Sequence, residues 1–183
     1  TMGITPDIMP IAKGLSSGYA PIGGSIVSDK IAKVITACEF NHGYTYSGHP
    51  VCAAVAEENL RIMREEDILT HVRNVAGPAL ETALNDLADH PLVGGVNISG
   101  MMASMPLTPH KESRAKIAGD AGTVSYMCRE HCFANNLVMR HVGDRMIISP
   151  PLVITPEEIE IFATRAKKAL DATYKDLKDK DML

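Results

Sequence analysis

A short apolar run, Ile8-Met9-Pro10-Ile11-Ala12, gives way to a stretch rich in glycine and serine and then to a second apolar run over residues 22–27. Both runs have strand length and turn-forming neighbours, so they predict two strands joined by a loop. Ser28 and Asp29 suit a helix N-cap and predict a short helix over residues 30–35. A polar, aromatic loop occupies residues 41–49, and Pro50 then starts a helix running to Arg64. Its apolar side is read as Ala54, Val55, Leu60, Ile62 and Met63, and the charged Arg64-Glu65-Glu66-Asp67 reads as a solvated turn. A second helical pattern covers residues 68–87 through Val72, Val75, Ala79, Ala83 and Leu87, with a kink expected at Gly77-Pro78.

Beyond it the pattern changes to strands over residues 92–98 and 101–105 around Ser99-Gly100, with Met101, Met102 and Met105 expected to fill gaps in a core. Residues 108–119 are polar, basic and without a clear period, which predicts a surface loop. Asp120 can cap a helix to about Ala134, closed by a left-handed Asn136. Strands follow over residues 137–141 and 146–149 around a hairpin-type turn at Gly143-Asp144. Thr155-Pro156-Glu157-Glu158 joins an N-cap, a proline at the first helical position and a glutamate three residues after the cap. The helix it starts aligns Ile159, Phe162, Ala166, Leu170, Thr173 and Leu177 on one face and is expected to fray over residues 178–181. Helix, strands, helix, strands and helix describe an α+β domain over residues 76–183, with the boundary inside the second helical stretch and residues 1–75 before it.

The 183 residues are 45% hydrophobic and 22% charged, a balance that supports a buried core. A net charge of −4 without a basic cluster gives no electrostatic reason to expect nucleic acid or an anionic membrane as partner. No apolar run approaches membrane-spanning length, and the first ten residues lack the plan of a secretory signal. The four cysteines read as reduced thiols of a cytoplasmic protein. Cys128 and Cys132, with His131 between them, fall short of the roughly four converging ligands that zinc takes, so burial as small apolar residues is expected instead.

Lys13 follows the first strand directly, and Gly14, Gly18, Gly23 and Gly24 keep bulk away from it. Taken alone, such a lysine reads as a solvated charge. The segment PDIMPIAKGLSSGYAPIGG, residues 6–24, closely resembles the lysine segment of the class III, pyridoxal-phosphate-dependent aminotransferases. HGYTYSGHP, residues 42–50, resembles a second segment of that family in the right order, nearest to the branch acting on amines and ω-amino acids.

The resemblance implies a fold-type-I α/β enzyme: the end of a large, mostly parallel-sheet domain followed by a small C-terminal α+β domain. It implies pyridoxal 5′-phosphate as cofactor, with Lys13 carrying it as a Schiff base and later moving the substrate's Cα proton. It implies that Thr45 reaches the cofactor phosphate across a homodimer interface, and that Arg140 grips the carboxylate of a keto acid such as pyruvate. Tyr19, Tyr44 and Tyr46 cluster near these segments and read as pocket lining or as interface packing. The family usually has an arginine where Asn97 stands and a glutamate where Pro106 stands, two departures that bear on local packing.

Other readings change the outcome rather than the cofactor: an aminomutase, a decarboxylating enzyme or an ornithine-type aminotransferase. A nucleotide-binding loop is disfavoured, because glycine follows Lys13 and no hydroxyl stands next to it. The family's pyridine-nitrogen carboxylate, phosphate loop and stacking aromatic cannot be placed here, and the chain starts at Thr1. The expectation is therefore the C-terminal part of a longer enzyme, inactive as these residues alone.

Overall fold

The computed structural model of the chain describes residues 3–108, 110–111 and 120–183. Most of the loop expected over residues 108–119 lies outside the described residues. The chain separates into two compact units, Thr1–Asp67 and Ile68–Leu183. The division falls at the start of the second helical stretch, where Asp67 takes a left-handed φ of 47° and closes the preceding helix.

In the first unit, β1 (Ile8–Ile11) and β2 (Gly24–Val27) pair antiparallel in the register Ile8↔Val27 to Ile11↔Gly24. Gly23 lets the returning strand approach: a Cβ there would stand 3.2 Å from the Ile11 carbonyl oxygen. Helix α1 (Asp29–Ile35) starts after Ser28, whose hydroxyl donates to Asp7 Oδ1 at 2.7 Å instead of capping the helix. Lys30 Nζ lies 3.2 Å from Asp7 Oδ2, so Asp7 ties the start of α1 to the start of β1.

Helix α2 (Pro50–Glu65) has proline in its first turn, where a missing N–H costs nothing. Its protected face corrects the expectation. Cys52, Val55, Ala56, Asn59 and Met63 are the covered positions, whereas Ala54, Leu60 and Ile62 are exposed. Val55 and Met63 belong to both the expected and the observed faces, and the covered stripe adds Cys52, Ala56 and Asn59.

In the second unit, α3 (Ile68–His71), a π-helical segment (Val72–Ala76) and α4 (Gly77–Ala88) follow without a break. Pro78 cannot donate, and its ring crowds the carbonyl of the preceding turn. The chain answers by widening that turn, with the Gly77 N–H reaching back to the Val72 carbonyl. The expected kink is thus a π-bulge. Its extra residue rotates the buried stripe onto Ala76, Leu80, Leu84 and Leu87, leaving Val75 exposed.

Four antiparallel strands form a sheet in the order β3-β4-β6-β5: β3 (Asn97–Ser99), β4 (Met102–Pro106), β5 (Arg140–Val142) and β6 (Arg145–Ile148). Of the strand expected over residues 92–98 only the last part forms; Leu92 and Val93 are fully buried as irregular chain, with one bridge from Val93 to Leu107. Ala103 pairs with Ile148 and Met105 with Met146, and all four are buried, which defines the helix-covered face. Met101 and Met105 fill the core as expected, while Met102 is exposed. Among the described strands all pairs are antiparallel, so the mostly parallel sheet of the larger domain is not represented by them.

Helix α5 (Thr123–Ala134) starts after Gly122, φ 91°, not at Asp120. The Gly122 N–H donates to Asp144 Oδ1 at 2.6 Å, so a carboxylate from the β5–β6 turn serves the helix start. At the other end Asn136, φ 57°, closes the helix: its N–H reaches the Phe133 carbonyl and that of Leu137 the Cys132 carbonyl. Cys128 and Cys132 are buried as expected. Gly143, φ 51°, makes the tight turn between β5 and β6.

Helix α6 (Pro156–Asp179) carries the expected capping box, Thr155 and Glu158 bonding each other's backbone N–H at 3.2 and 2.9 Å. Ile159, Ala166, Leu170, Thr173 and Leu177 are buried on its inner face against the other helices. Its end does not fray. Asp181 turns left-handed, Met182 N–H reaches the Leu177 carbonyl at 2.9 Å, and Met182 packs on the core.

Candidate active site

Lys13 is the first residue of a short 3-10 turn, Lys13–Leu15, that begins where β1 ends. Extended backbone at Ala12 carries the strand geometry to the edge of the turn, and Lys13 then adopts φ 51° with its side chain exposed. A left-handed non-glycine residue is held at an energetic cost and marks a position where the backbone serves something other than its own comfort. Ser17 (φ 49°) and Gly18 (φ 81°) repeat that conformation four and five residues on.

Polar contacts hold this loop. Ser16 is buried, its hydroxyl donating to the Ala20 carbonyl at 2.6 Å. From α2, Asn59 Nδ2 donates to the Gly14 and Leu15 carbonyls at 2.9 and 3.2 Å, and Asn59 Oδ1 accepts from the Ser17 hydroxyl at 2.8 Å. Sequence reasoning missed Asn59; its signal was a polar residue inside the covered stripe of α2. Among the described residues no carboxylate pairs with the Lys13 amine, so a primary amine stands free at the end of an anchored turn with small neighbours, Gly14, Ser16, Ser17 and Gly18. That donor set fits a carbonyl-bearing cofactor attached through a lysine.

Thr45 lies in the same unit on a separate turn, exposed, between Tyr44 and Ser47. The Ser47 hydroxyl accepts from the Tyr44 N–H at 3.1 Å and the Ser47 N–H donates to the Tyr44 carbonyl at 2.9 Å, which fixes the turn. Tyr19, Tyr44 and Tyr46 are all exposed, and Tyr44 meets the His42 ring edge-on with centroids 5.3 Å apart.

Arg140 belongs to the second unit, as the first residue of β5 opposite Ile147. Its neighbour His141 pairs with buried Met146 and lies 6.0 Å from the Tyr126 ring of α5, which assigns His141 to the helix side. Strand alternation then sends Arg140 to the sheet face opposite α5, with its side chain exposed. Arg145, opposite Val142, faces the same way. Asn97 starts β3 and Pro106 ends β4, where a missing N–H breaks no interior ladder bond.

The profile of the family described as Aminotransferase class-III matches residues 1–170, and the chain belongs to that family. It is 54% identical over 172 residues to a putrescine–pyruvate aminotransferase of Pseudomonas aeruginosa, an alignment covering 93% of this chain and 37% of the relative. A probable mitochondrial gamma-aminobutyrate transaminase 3 of rice, Oryza sativa subsp. indica, is 37% identical over 175 residues, covering 93% and 34% respectively. The structure superposes on the omega transaminase of Pseudomonas jessenii in complex with PMP with a TM-score of 0.90 at 34% identity, covering 94% of this chain and 39% of that one. A solved transaminase with L-alanine gives a TM-score of 0.87 at 29% identity, covering 94% and 42%. The fold is thus that of part of a fold-type-I transferase, as expected from the lysine segment. The chain spans little more than a third of the length of the relatives it matches. No helix among the described residues is long and apolar enough to cross a membrane.

Proposed function

We propose that the chain is the C-terminal part of a pyridoxal-phosphate-dependent aminotransferase, residues 1–75 closing its large domain and residues 76–183 forming its small one. It moves an amino group from an amine or ω-amino acid to a keto acid such as pyruvate. The observation that carries this reading is Lys13: an exposed primary amine at a strand end, on a left-handed turn anchored by Asn59. The identity to the putrescine–pyruvate enzyme supports the substrate class.

The cofactor, when bound, supplies an aldehyde that condenses with amines and an electron sink for charge developing at the substrate Cα. Lys13 Nζ would hold that group and, as a free amine, would be placed to accept the substrate Cα proton, so one side chain would serve as tether and base. Thr45 would donate its hydroxyl to the cofactor phosphate of the neighbouring subunit in a cytoplasmic homodimer, a charge-assisted bond. Arg140 pairs with the substrate carboxylate through two parallel bonds, and its exposed side chain is able to swing aside for an uncharged amine.

Single-turnover kinetics of the two half-reactions test the division of roles in the full-length enzyme. Arg140→Ala is expected to slow the half-reaction with pyruvate by one to two orders of magnitude, about 1.4 to 3 kcal/mol. The half-reaction with a simple aromatic amine stays at the wild-type rate. Equal losses in both contradict the carboxylate role.

A further inference from the structure

We infer that Asn59 is a positioning residue for Lys13: its carboxamide fixes the turn that aims the lysine amine, and the inference rests on Lys13 being the cofactor-bearing lysine. The backbone of the turn satisfies only part of itself. The Leu15 N–H donates to the Ala12 carbonyl at 3.2 Å and the Ser16 N–H to the Lys13 carbonyl at 3.3 Å, which uses up the first two carbonyls. The next two, of Gly14 and Leu15, take their hydrogen bonds from Asn59 Nδ2 at 2.9 and 3.2 Å. The remaining polar atom, Oδ1, accepts from the Ser17 hydroxyl at 2.8 Å.

One carboxamide therefore reaches three groups of a single loop across more than forty residues of sequence, while its Nδ2 also stands 3.7 Å from Met63 Sδ on its own helix. The contacts run from Gly14 to Ser17, so they follow one left-handed non-glycine residue, Lys13, and end on the other, Ser17. Backbone held in that region persists when its surroundings over-determine it, and Asn59 is the element of α2 that does so here. The covered stripe of α2 around it is Cys52, Val55, Ala56 and Met63. Leucine at position 59 would pack there, yet it would leave the Gly14 and Leu15 carbonyls without their donor. Asparagine is explained by what the loop requires rather than by helix propensity, which disfavours it.

The test uses the full-length holoenzyme and the variants Asn59→Leu, Asn59→Asp and Ser17→Ala. Borohydride trapping of the wild type comes first, since label on a lysine other than Lys13 overturns the functional reading and this inference with it. With Lys13 labelled, Asn59→Leu and Asn59→Asp are expected to lower kcat by about ten-fold or more, as small displacements of a reacting group do, with KM for the amine nearly unchanged. The pH midpoint of the bound cofactor's visible absorption should move in the same variants, because the turn that carries its attachment point is then displaced. Ser17→Ala removes one of the three bonds and should shift that midpoint in the same direction by less; it carries the test if Asn59→Leu fails to fold. A lower melting temperature with kcat per bound cofactor and the pH midpoint unchanged would show a merely structural asparagine and overturn the inference alone.

Discussion

Residues 68–183 bury an apolar cluster drawn from α4, α5, α6, β4 and β6, whereas the described residues of 1–67 bury only Ala56 and Ser16 and leave Ile8, Met9 and Ile26 of their two strands exposed. On the proposed reading the first unit is the end of a larger domain, whose other elements would cover those apolar positions; what its described residues hold by themselves is the lysine turn. The second unit is held by close packing, where each removed methylene is felt. The first unit holds its lysine turn by hydrogen bonds to backbone carbonyls, contacts that set geometry and contribute little net stability each. Core substitutions in the second unit should therefore change how much enzyme is folded, and substitutions at the lysine turn should change what the folded enzyme does.

The largest stability effect is expected at Leu84, fully buried on α4. Leu84→Ala should cost about 2–5 kcal/mol in urea unfolding while activity per folded molecule stays at the wild-type level. A parallel fall in activity per folded molecule would break the separation.

Gly77→Ala probes the π-bulge and is informative for its sign. Alanine normally gains up to about 1 kcal/mol over glycine inside a helix. Here its Cβ would stand 2.5 Å from the Val72 carbonyl oxygen, which is backbone and cannot swing aside. The expected outcome is a loss of about 1–3 kcal/mol, as for other overpacked sites. A gain in melting temperature would mean that the bulge relaxes to a regular helix at little cost.

The smallest effect is a pH dependence of the second unit through His90. Its Nδ1 accepts the Leu92 N–H at 3.1 Å and its Nε2 stands 3.3 Å from Asp171 Oδ1, so the neutral ring with the proton on Nε2 is the form that fits. Burial lowers its pKa from 6.5, against the opposing pull of Asp171. The unfolded chain then binds the proton more readily, so stability is full above pH 6.5 and falls as pH drops from 6.5 through the lower folded value. His90→Asn can keep the bond to the Leu92 N–H through an Asx turn and does not titrate, so the difference between it and wild type should appear only in that window. Parallel pH profiles would remove His90 as the cause.

Elements whose signals are local were legible in the sequence. Thr155 and Glu158, Asn136, and the Gly143-Asp144 turn each state their conformation within a few residues, and each stands where expected. Lys13 was singled out by the resemblance of residues 6–24 to the family's lysine segment, since a lysine at a strand end taken alone reads as a solvated charge. What escaped depends on partners distant in sequence. Asn59 went unremarked because the carbonyls it serves lie more than forty residues earlier; Asp120 reads as a cap until Asp144 takes over the helix start. The π-bulge was half legible, since Gly77-Pro78 announces a disruption without saying that an added residue absorbs it and rotates the stripe toward Leu80 and Leu84. The end of α6 looked like a fraying charged tail because the apolar Met182 that secures it lies beyond the charges.

Borohydride reduction of the full-length holoenzyme, followed by peptide mapping of the fixed cofactor, asks directly whether the first unit carries the chemistry. Label is expected on Lys13, with Lys13→Ala abolishing both the label and amino-group transfer while melting at the same temperature without cofactor. Label on Lys30, Lys33 or any other lysine, or transamination surviving in Lys13→Ala, would contradict it.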